Sequence, residues 1–260
     1  MIAPPPRQWT ALLLAGSRPG GDAFAEANGV PLKPLIPVRG EPMIRRPLRT
    51  LLASPAIKQV RVLTQQPAAI AAVLPAGPRV TVDRSGATIA STIEAILADP
   101  ATRFPLLVTT ADHALLDPEM IADFCARADG VDVAIGVVER RALEAILPQA
   151  KRTWIGFRGG AYSGANLFAF ASADAVSAVS LWREVEQDRK KGWRMLAAFG
   201  PALLLGAGLR LRTLDRSLAT IGRKLGLSVC AVIMTDPLVA VDVDKPSDLA
   251  MVEAILRDRA

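Results

Sequence analysis

Phe104–Thr110 reads FPLLVTT, an apolar run that does not alternate until its last residues. A strand that is apolar on both faces must be covered on both. That is the situation of a central strand in a parallel sheet. The flanking sequence keeps the matching rhythm. Residues 8–16, Val60–Thr64, Val80–Val82 and Val131–Val138 read as strands. Residues 42–53, Pro67–Leu74 and Thr88–Leu97 read as helices, the last from its Ile89, Ile93, Ile96 and Leu97 spacing. Pro47 requires the helix over 42–53 to start or kink there. Asp117-Pro118-Glu119 opens another helix, with Asp117 as N-cap and Pro118 in the first turn. This alternation predicts βαβ units around a parallel sheet.

Beyond residue 140 the rhythm loosens. Trp154–Phe157 and Ala165–Phe170 read as strands around the turn Arg158–Gly160, residues 172–200 as helical, and 215–226 as a helix capped by Asp215. Ser228–Met234 and Val239–Val243 return to β, with Asp242 pointing opposite to Val241 and Val243. Asp244 and Pro246 start a last helix that runs through Leu256. Met1–Arg7 holds three consecutive prolines and reads as a loose tail. With no linker or repeat, the 260 residues read as one domain.

Lys and Arg number 31 against 25 Asp and Glu, so the net charge of +6 favours anionic partners. Nucleic acid fits poorly: there is one Tyr, and the cations are scattered apart from Arg189–Lys191. Cys125 and Cys230 lie in apolar sequence and read as buried thiols of a reducing, cytoplasmic compartment. Gly16–Gly21 does not resemble a signal-peptide cleavage region. No apolar run is long enough to span a membrane, and Met195–Leu211 is broken by Gly200, Pro201, Gly206 and Gly208.

Thr10–Lys33 carries the first chemical signal. Its apolar run Ala11–Ala15 breaks at Gly16 into a loop with Ser17, Arg18, Gly20 and Gly21, and Lys33 follows. A strand ending in a small-residue loop brings backbone N–H groups to a phosphate. Arg18 and Lys33 would add two cations. The loop matches neither the P-loop nor the dinucleotide-binding glycine pattern. Asp112 follows the central strand at the edge where ligands bind in open α/β sheets. Asp244 follows another strand-like stretch, with Asp242 as the neighbouring alternative. Two carboxylates at strand ends can hold one Mg²⁺ together with phosphate oxygens and water. His113, the only histidine, reads as a loop or supporting residue. Trp182 and Trp193 bracket a basic stretch that reads as a solvated helix face, and a peripheral membrane contact there is permitted but not demanded.

LLLAGSRPGGD, KPLIPVRGEPMI, LVTTADHALLDPEMI and VDVDKPSDL resemble the MobA-like nucleotidyltransferases, which are similar to the cytidylyltransferases of isoprenoid and sugar-acid activation. The resemblance implies a three-layer αβα sandwich with a mostly parallel sheet. Its nucleotide-binding part would cover about 8–140, an acceptor-side region about 141–235, and a closing strand and helix 236–260. It implies Mg²⁺-dependent joining of an NTP to a phosphorylated small-molecule or lipid-linked acceptor, with pyrophosphate released. Leu14, Ala15, Gly16, Ser17, Arg18 and Lys33 would hold the nucleotide, and Gly86 and Ser91 would approach its base. Asp112 and Asp244 would be the metal pair, with Arg18, Lys33 and Asp112 catalytic, and Asn166 would lie on the acceptor side. Arg18 follows Ser17 directly, whereas the family loop places a glycine earlier, and Arg39 is an alternative cation. A glycosyltransferase of similar fold and an inactive nucleotide-binding module are the competing readings. Asp112-His113-Ala114 lacks the second acid that such glycosyltransferases carry.

Overall fold

A computed structural model describes residues 7–17, 21–187 and 212–259. Among them, strands β1 (Trp9–Leu14), β4 (Ile57–Thr64), β5 (Val80–Arg84), β6 (Leu106–Thr110), β7 (Val133–Glu139), β8 (Ile155–Phe157), β9 (Gly160–Phe170) and β10 (Val229–Ile233) form one sheet. Its order is β10-β7-β9-β6-β1-β4-β5, with β8 paired to β9. All pairings are parallel except those of β9 with β6, β7 and β8. β2 (Pro37–Val38) and β3 (Glu41–Pro42) make a separate hairpin. Arg39 and Gly40 form its turn, both at positive φ.

The continuous apolar runs are explained by the two faces of this sheet. On β1, Ala11 and Leu13 pack on one side with Leu48 and Leu51 of helix α2 (Arg45–Ala53) and Ile121 and Phe124 of α5 (Pro118–Ala128). Leu12 packs on the other with Ile93 and Leu97 of α4 (Ile89–Ala98) and Val179 of α7 (Val176–Gln187). On β6, Leu107 joins the first cluster and Leu106 and Val108 the second. The central strands are therefore buried on both faces, as parallel strands between helix layers must be. The remaining helices are α1 (Ala23–Ala27), α3 (Pro67–Ala71), α6 (Arg140–Ile146), α8 (Leu214–Leu225) and α9 (Pro246–Asp258).

Local expectations mostly hold. Asp117 caps α5, accepting from Met120 N at 2.8 Å, with Pro118 behind it. Pro47 sits in the first turn of α2, where no intrahelical N–H is needed, so the helix begins at Arg45 without a kink. Three expectations fail. Thr213, not Asp215, caps α8, accepting from Arg216 N. Cys125 is buried, but Cys230 is only half-buried. Val239–Val243 is not a strand. Pro237–Ala240 is a 3-10 turn, started by Asp236, which accepts from Leu238 N. The helix expected over 172–200 is seen at Val176–Gln187; 188–211, with Trp193, lies outside the described residues. Trp182 stacks on Phe168 at 5.1 Å, so it packs on the sheet.

His113 explains how residues 239–244 are held without a strand ladder. Its fully buried ring donates from Nε2 to the Val239 carbonyl, which can only accept. Nδ1 is then the acceptor for Thr109 Oγ1, 3.2 Å away. One residue earlier, the Asp112 carbonyl accepts from Val243 N at 3.1 Å. Val241 and Val243 are buried with Ala114, Leu115 and Val252. The end of β6 thus carries the C-terminal segment across the sheet edge. His113→Ala should lower stability by roughly 2–4 kcal/mol through two orphaned partners and a cavity. Hydrogen exchange should show the loss concentrated at 239–243, with the β1 amides still protected. Uniform loosening of both would refute the local tether.

Candidate active site

The parallel strands β5, β4, β1 and β6 end at one edge of the sheet, and Gly86, Gly16 and Asp112 follow the ends of β5, β1 and β6 there. Lys33 opens a 3-10 turn, Lys33–Leu35, between the buried Leu32 and Pro34. Its Nζ lies 2.6 Å from Asp112 Oδ2 and 2.6 Å from Asp244 Oδ1. Three remote parts of the chain therefore meet at one ammonium group. Asp112 is fixed further by Thr110 Oγ1, which donates to its Oδ1 at 2.5 Å. Asp244 is more open, and its backbone N–H donates to Asp248 Oδ2. It does not cap α9, whose cap position is Lys245.

The electrostatics follow from burial and pairing. Burial alone would neutralise Lys33, but Asp112 and then Asp244 outweigh it and hold its pKa above the ordinary lysine value. Burial alone would also protonate Asp112, but Lys33 and the Thr110 hydroxyl hold its carboxyl below the usual carboxylate range. Asp242 behaves differently. Burial pushes its pKa up, Arg152 opposes this, and the nearby Asp112 charge adds to it. Arg152 Nη1 donates to Asp242 Oδ2 at 2.8 Å. Asp242 and Asp244 thus have separate partners: one faces Arg152, the other Lys33.

The glycine loop contains a residue that sequence reasoning did not single out. Gln65, just past β4, grips Ser17 from both sides. Its Oε1 accepts from Ser17 N at 3.0 Å, and its Nε2 donates to Ser17 O at 3.3 Å. A Cβ on Gly16 would come within 2.9 Å of that amide, so glycine is what lets Gln65 lie against the loop. The Ser17 N–H is consequently engaged, whereas Ser17 Oγ is buried with no partner among the described residues. Arg18 lies outside the described residues. The only signal for Gln65 in the sequence was its place directly after a strand on the ligand-binding edge.

Farther along the edge, Gly86 N donates to Thr92 Oγ1. Ser91 forms a capping box with Thr88 at the start of α4, so its hydroxyl is used within the chain. Asn166 sits at φ 49° in β9, where the pairing with β7 shifts register between Ile135 and Val137. Asn tolerates that left-handed conformation better than most residues. Arg39 is turned away to the last helix, its backbone N–H donating to Glu253 at 2.7 Å and its side chain to the Leu256 carbonyl. It is not part of the Lys33 cluster.

Known structures superpose on this chain over nearly its whole length. A hypothetical transferase from Thermus thermophilus superposes with a TM-score of 0.78 at 29% identity, covering 93% of this chain and 99% of its own. The 4-diphosphocytidyl-2C-methyl-D-erythritol synthase of Anaerococcus prevotii gives 0.61 at 11% identity, with 96% of each chain covered. CMP:2-keto-3-deoxy-manno-octonic acid synthetase, solved with CTP, gives 0.60 at 17% identity, covering 97% of this chain and all of that one. The last two share the fold. Among curated proteins none matches the chain. The MobA-like NTP transferase domain matches residues 12–204, well over half of the sequence. The chain belongs to the MobA-like NTP transferase family and is a nucleotidyltransferase.

Proposed function

We propose that this nucleotidyltransferase joins an NTP to a phosphorylated acceptor, depends on Mg²⁺, and releases pyrophosphate. The observation that carries the reading is the convergence of Asp112 and Asp244 on one buried positive charge at the sheet edge. Two carboxylates already oriented toward a cation match the donor set of Mg²⁺, which takes one or two carboxylates and completes its shell with phosphate and water. The described residues hold no group of three or more His, Cys, Asp or Glu arranged for a metal, so the substrate phosphates would supply the remaining ligands. When bound, Mg²⁺ would neutralise charge on the triphosphate and the leaving pyrophosphate.

The chain's own residues do the rest. Lys33 stays charged at every physiological pH and supplies a fixed cation for phosphate oxygens. The loop Leu14–Ser17, stiffened by Gln65, supplies close backbone approach and the free Ser17 hydroxyl, with Arg18 as a further cation. Gly86 and Ser91 border the base, and Asn166 the acceptor. The acceptor phosphate oxygen attacks the α-phosphorus in line, and the α–β anhydride bond breaks. No covalent enzyme intermediate is needed, because positioning and charge neutralisation carry such displacements. We place the protein in a reducing, cytoplasmic compartment, where the Cys125 thiol, its pKa pushed up to about 12 by burial, stays protonated. Among the described residues no helix is long and apolar enough to cross a membrane.

Thermal unfolding against ATP, GTP, CTP and UTP, each with and without Mg²⁺, tests the donor site. A nucleotide at ~100 times its Kd adds about 2.7 kcal/mol. The midpoint should then rise by roughly 5–11 °C for one nucleotide with Mg²⁺. No rise with any of the four would defeat the NTP assignment. Asp112→Asn leaves Lys33 only its Asp244 partner, so it should lower the unfolding midpoint and, in the folded protein, cut pyrophosphate release by roughly 10²–10³; an active variant would remove Asp112 from the machinery. Gln65→Ala should leave the ligand-free midpoint almost unchanged but weaken nucleotide binding by about 1–2 kcal/mol, roughly 5–30-fold. Unchanged or tighter binding would mean that Gln65 does not preorganise the loop.

A further inference from the structure

Lys33 Nζ stands at the point on which Asp112 Oδ2 and Asp244 Oδ1 converge, 2.6 Å from each. The other Asp112 oxygen accepts from Thr110 Oγ1, so both oxygens of that carboxylate are engaged. A divalent ion held by the same two carboxylates needs the place that the ammonium holds. The two cannot share it. An ammonium has no lone pair to give a metal, and like charges at such range repel strongly where water is scarce. Water is scarce on the inner side: the Lys33 and Asp112 side chains are each 16% exposed, against 60% for Asp244.

The backbone under Lys33 is anchored. Leu32 and Pro34 are buried, Leu35 N donates to Leu32 O, and Ile44 N donates to Pro34 O. What can move is the ammonium, on its flexible four-carbon stem. Moving it strands charge. A metal ion that took the carboxylates alone would leave Lys33 a mostly buried ammonium with no anion beside it. A triphosphate that took Lys33 alone would leave two carboxylates facing further negative charge. Each step breaks a buried pair one-sidedly, which is the costly way to break it. Taken together, the two steps leave every charge matched, with the ion on the carboxylates and the ammonium on phosphate oxygens.

We propose that Lys33 is an exchangeable counterion that bars the carboxylate pair to free divalent ions, so that metal and nucleotide enter only together. This rests on the nucleotidyl-transfer reading and adds an order of binding to it. The coupling is reciprocal: the ion tightens nucleotide binding by the same factor by which the nucleotide tightens the ion. Free Mg²⁺ then does not load the site ahead of the substrate.

Mn²⁺ binding in the absence of nucleotide tests the exchange, with Mn²⁺ standing in for Mg²⁺ and its free concentration read from its paramagnetic resonance signal. At about pH 8, where carboxylates are ionised, Lys33→Met should bind Mn²⁺ at least tenfold more tightly than the wild-type chain, about 1.4 kcal/mol. The midpoint of Lys33→Met should lie below that of the wild type and rise with Mn²⁺ alone, because the ion replaces the missing charge. The wild-type midpoint should not rise with Mn²⁺ alone. Adding Asp112→Asn to Lys33→Met should remove the gain, which ties it to this pair. Lys33→Gln, which keeps a neutral donor on the stem, should show the same gain and serves if Lys33→Met does not fold. Equal Mn²⁺ affinities in the wild type and a folded variant, or a gain that survives Asp112→Asn, would overturn the proposal. The Mg²⁺-dependent nucleotide shift of the wild type separates the two readings. With the shift and no gain, the exchange fails and the donor site stands; with the gain and no shift, the nucleotide assignment fails, and joint entry with it.

Discussion

The site depends on a buried cation that two carboxylates hold in its charged form. Lys33 and Asp112 are each mostly buried, and desolvation opposes the charge on both. Removing either partner from such a pair leaves an uncompensated charge, which is usually worse than removing both. The triad therefore constrains the chain strongly. The Lys33 turn and the end of β6 must come together for the two buried charges to be tolerated, and the segment before α9 adds the more exposed Asp244. The same requirement keeps two carboxylates aimed at one point, which is the geometry a phosphate-bound divalent ion would use.

That arrangement is supported from below by neutral contacts. His113 bonds the Val239 carbonyl, Val243 N bonds the Asp112 carbonyl, and Val241 and Val243 fill the small cluster beside α9. These contacts lie outside the charged triad, yet together they set where Asp244 stands. Gln65 does the corresponding work on the other side, holding both backbone groups of Ser17. Groups fixed before the substrate arrives lose less entropy on binding and need less reorganisation during the reaction.

The fold was legible because its strongest signal is physical. FPLLVTT has no polar face, so helices must lie on both sides of β6, and they do. Lys33, Asp112 and Asp244 were legible as a set because each falls where a strand or turn reaches the ligand-binding edge. Gln65 was not, since a lone amide after a strand has many uses and only its partner, 48 residues away, defines this one. Val239–Val243 was misread because buried valines alternating with Asp242 mimic a strand. Nothing in that alternation reveals that the backbone bonds go to Asp112 and His113 and not to a ladder. Asp215 was misread for a similar reason, since Thr213 two residues earlier offers an equally good cap.

The alternation in VDVD retains a meaning without the ladder. An extended segment sends successive side chains to opposite sides, so the buried valines leave Asp242 and Asp244 as the residues that meet polar surroundings. They do not meet the same ones. Asp244 turns to Lys33 and the phosphate loop, and Asp242 turns to Arg152. One short stretch of chain thereby carries two carboxylates with different cationic partners. Because His113 and Asp112 hold that stretch to the end of β6, the Asp242 and Asp244 carboxylates are fixed relative to each other by the same buried contacts.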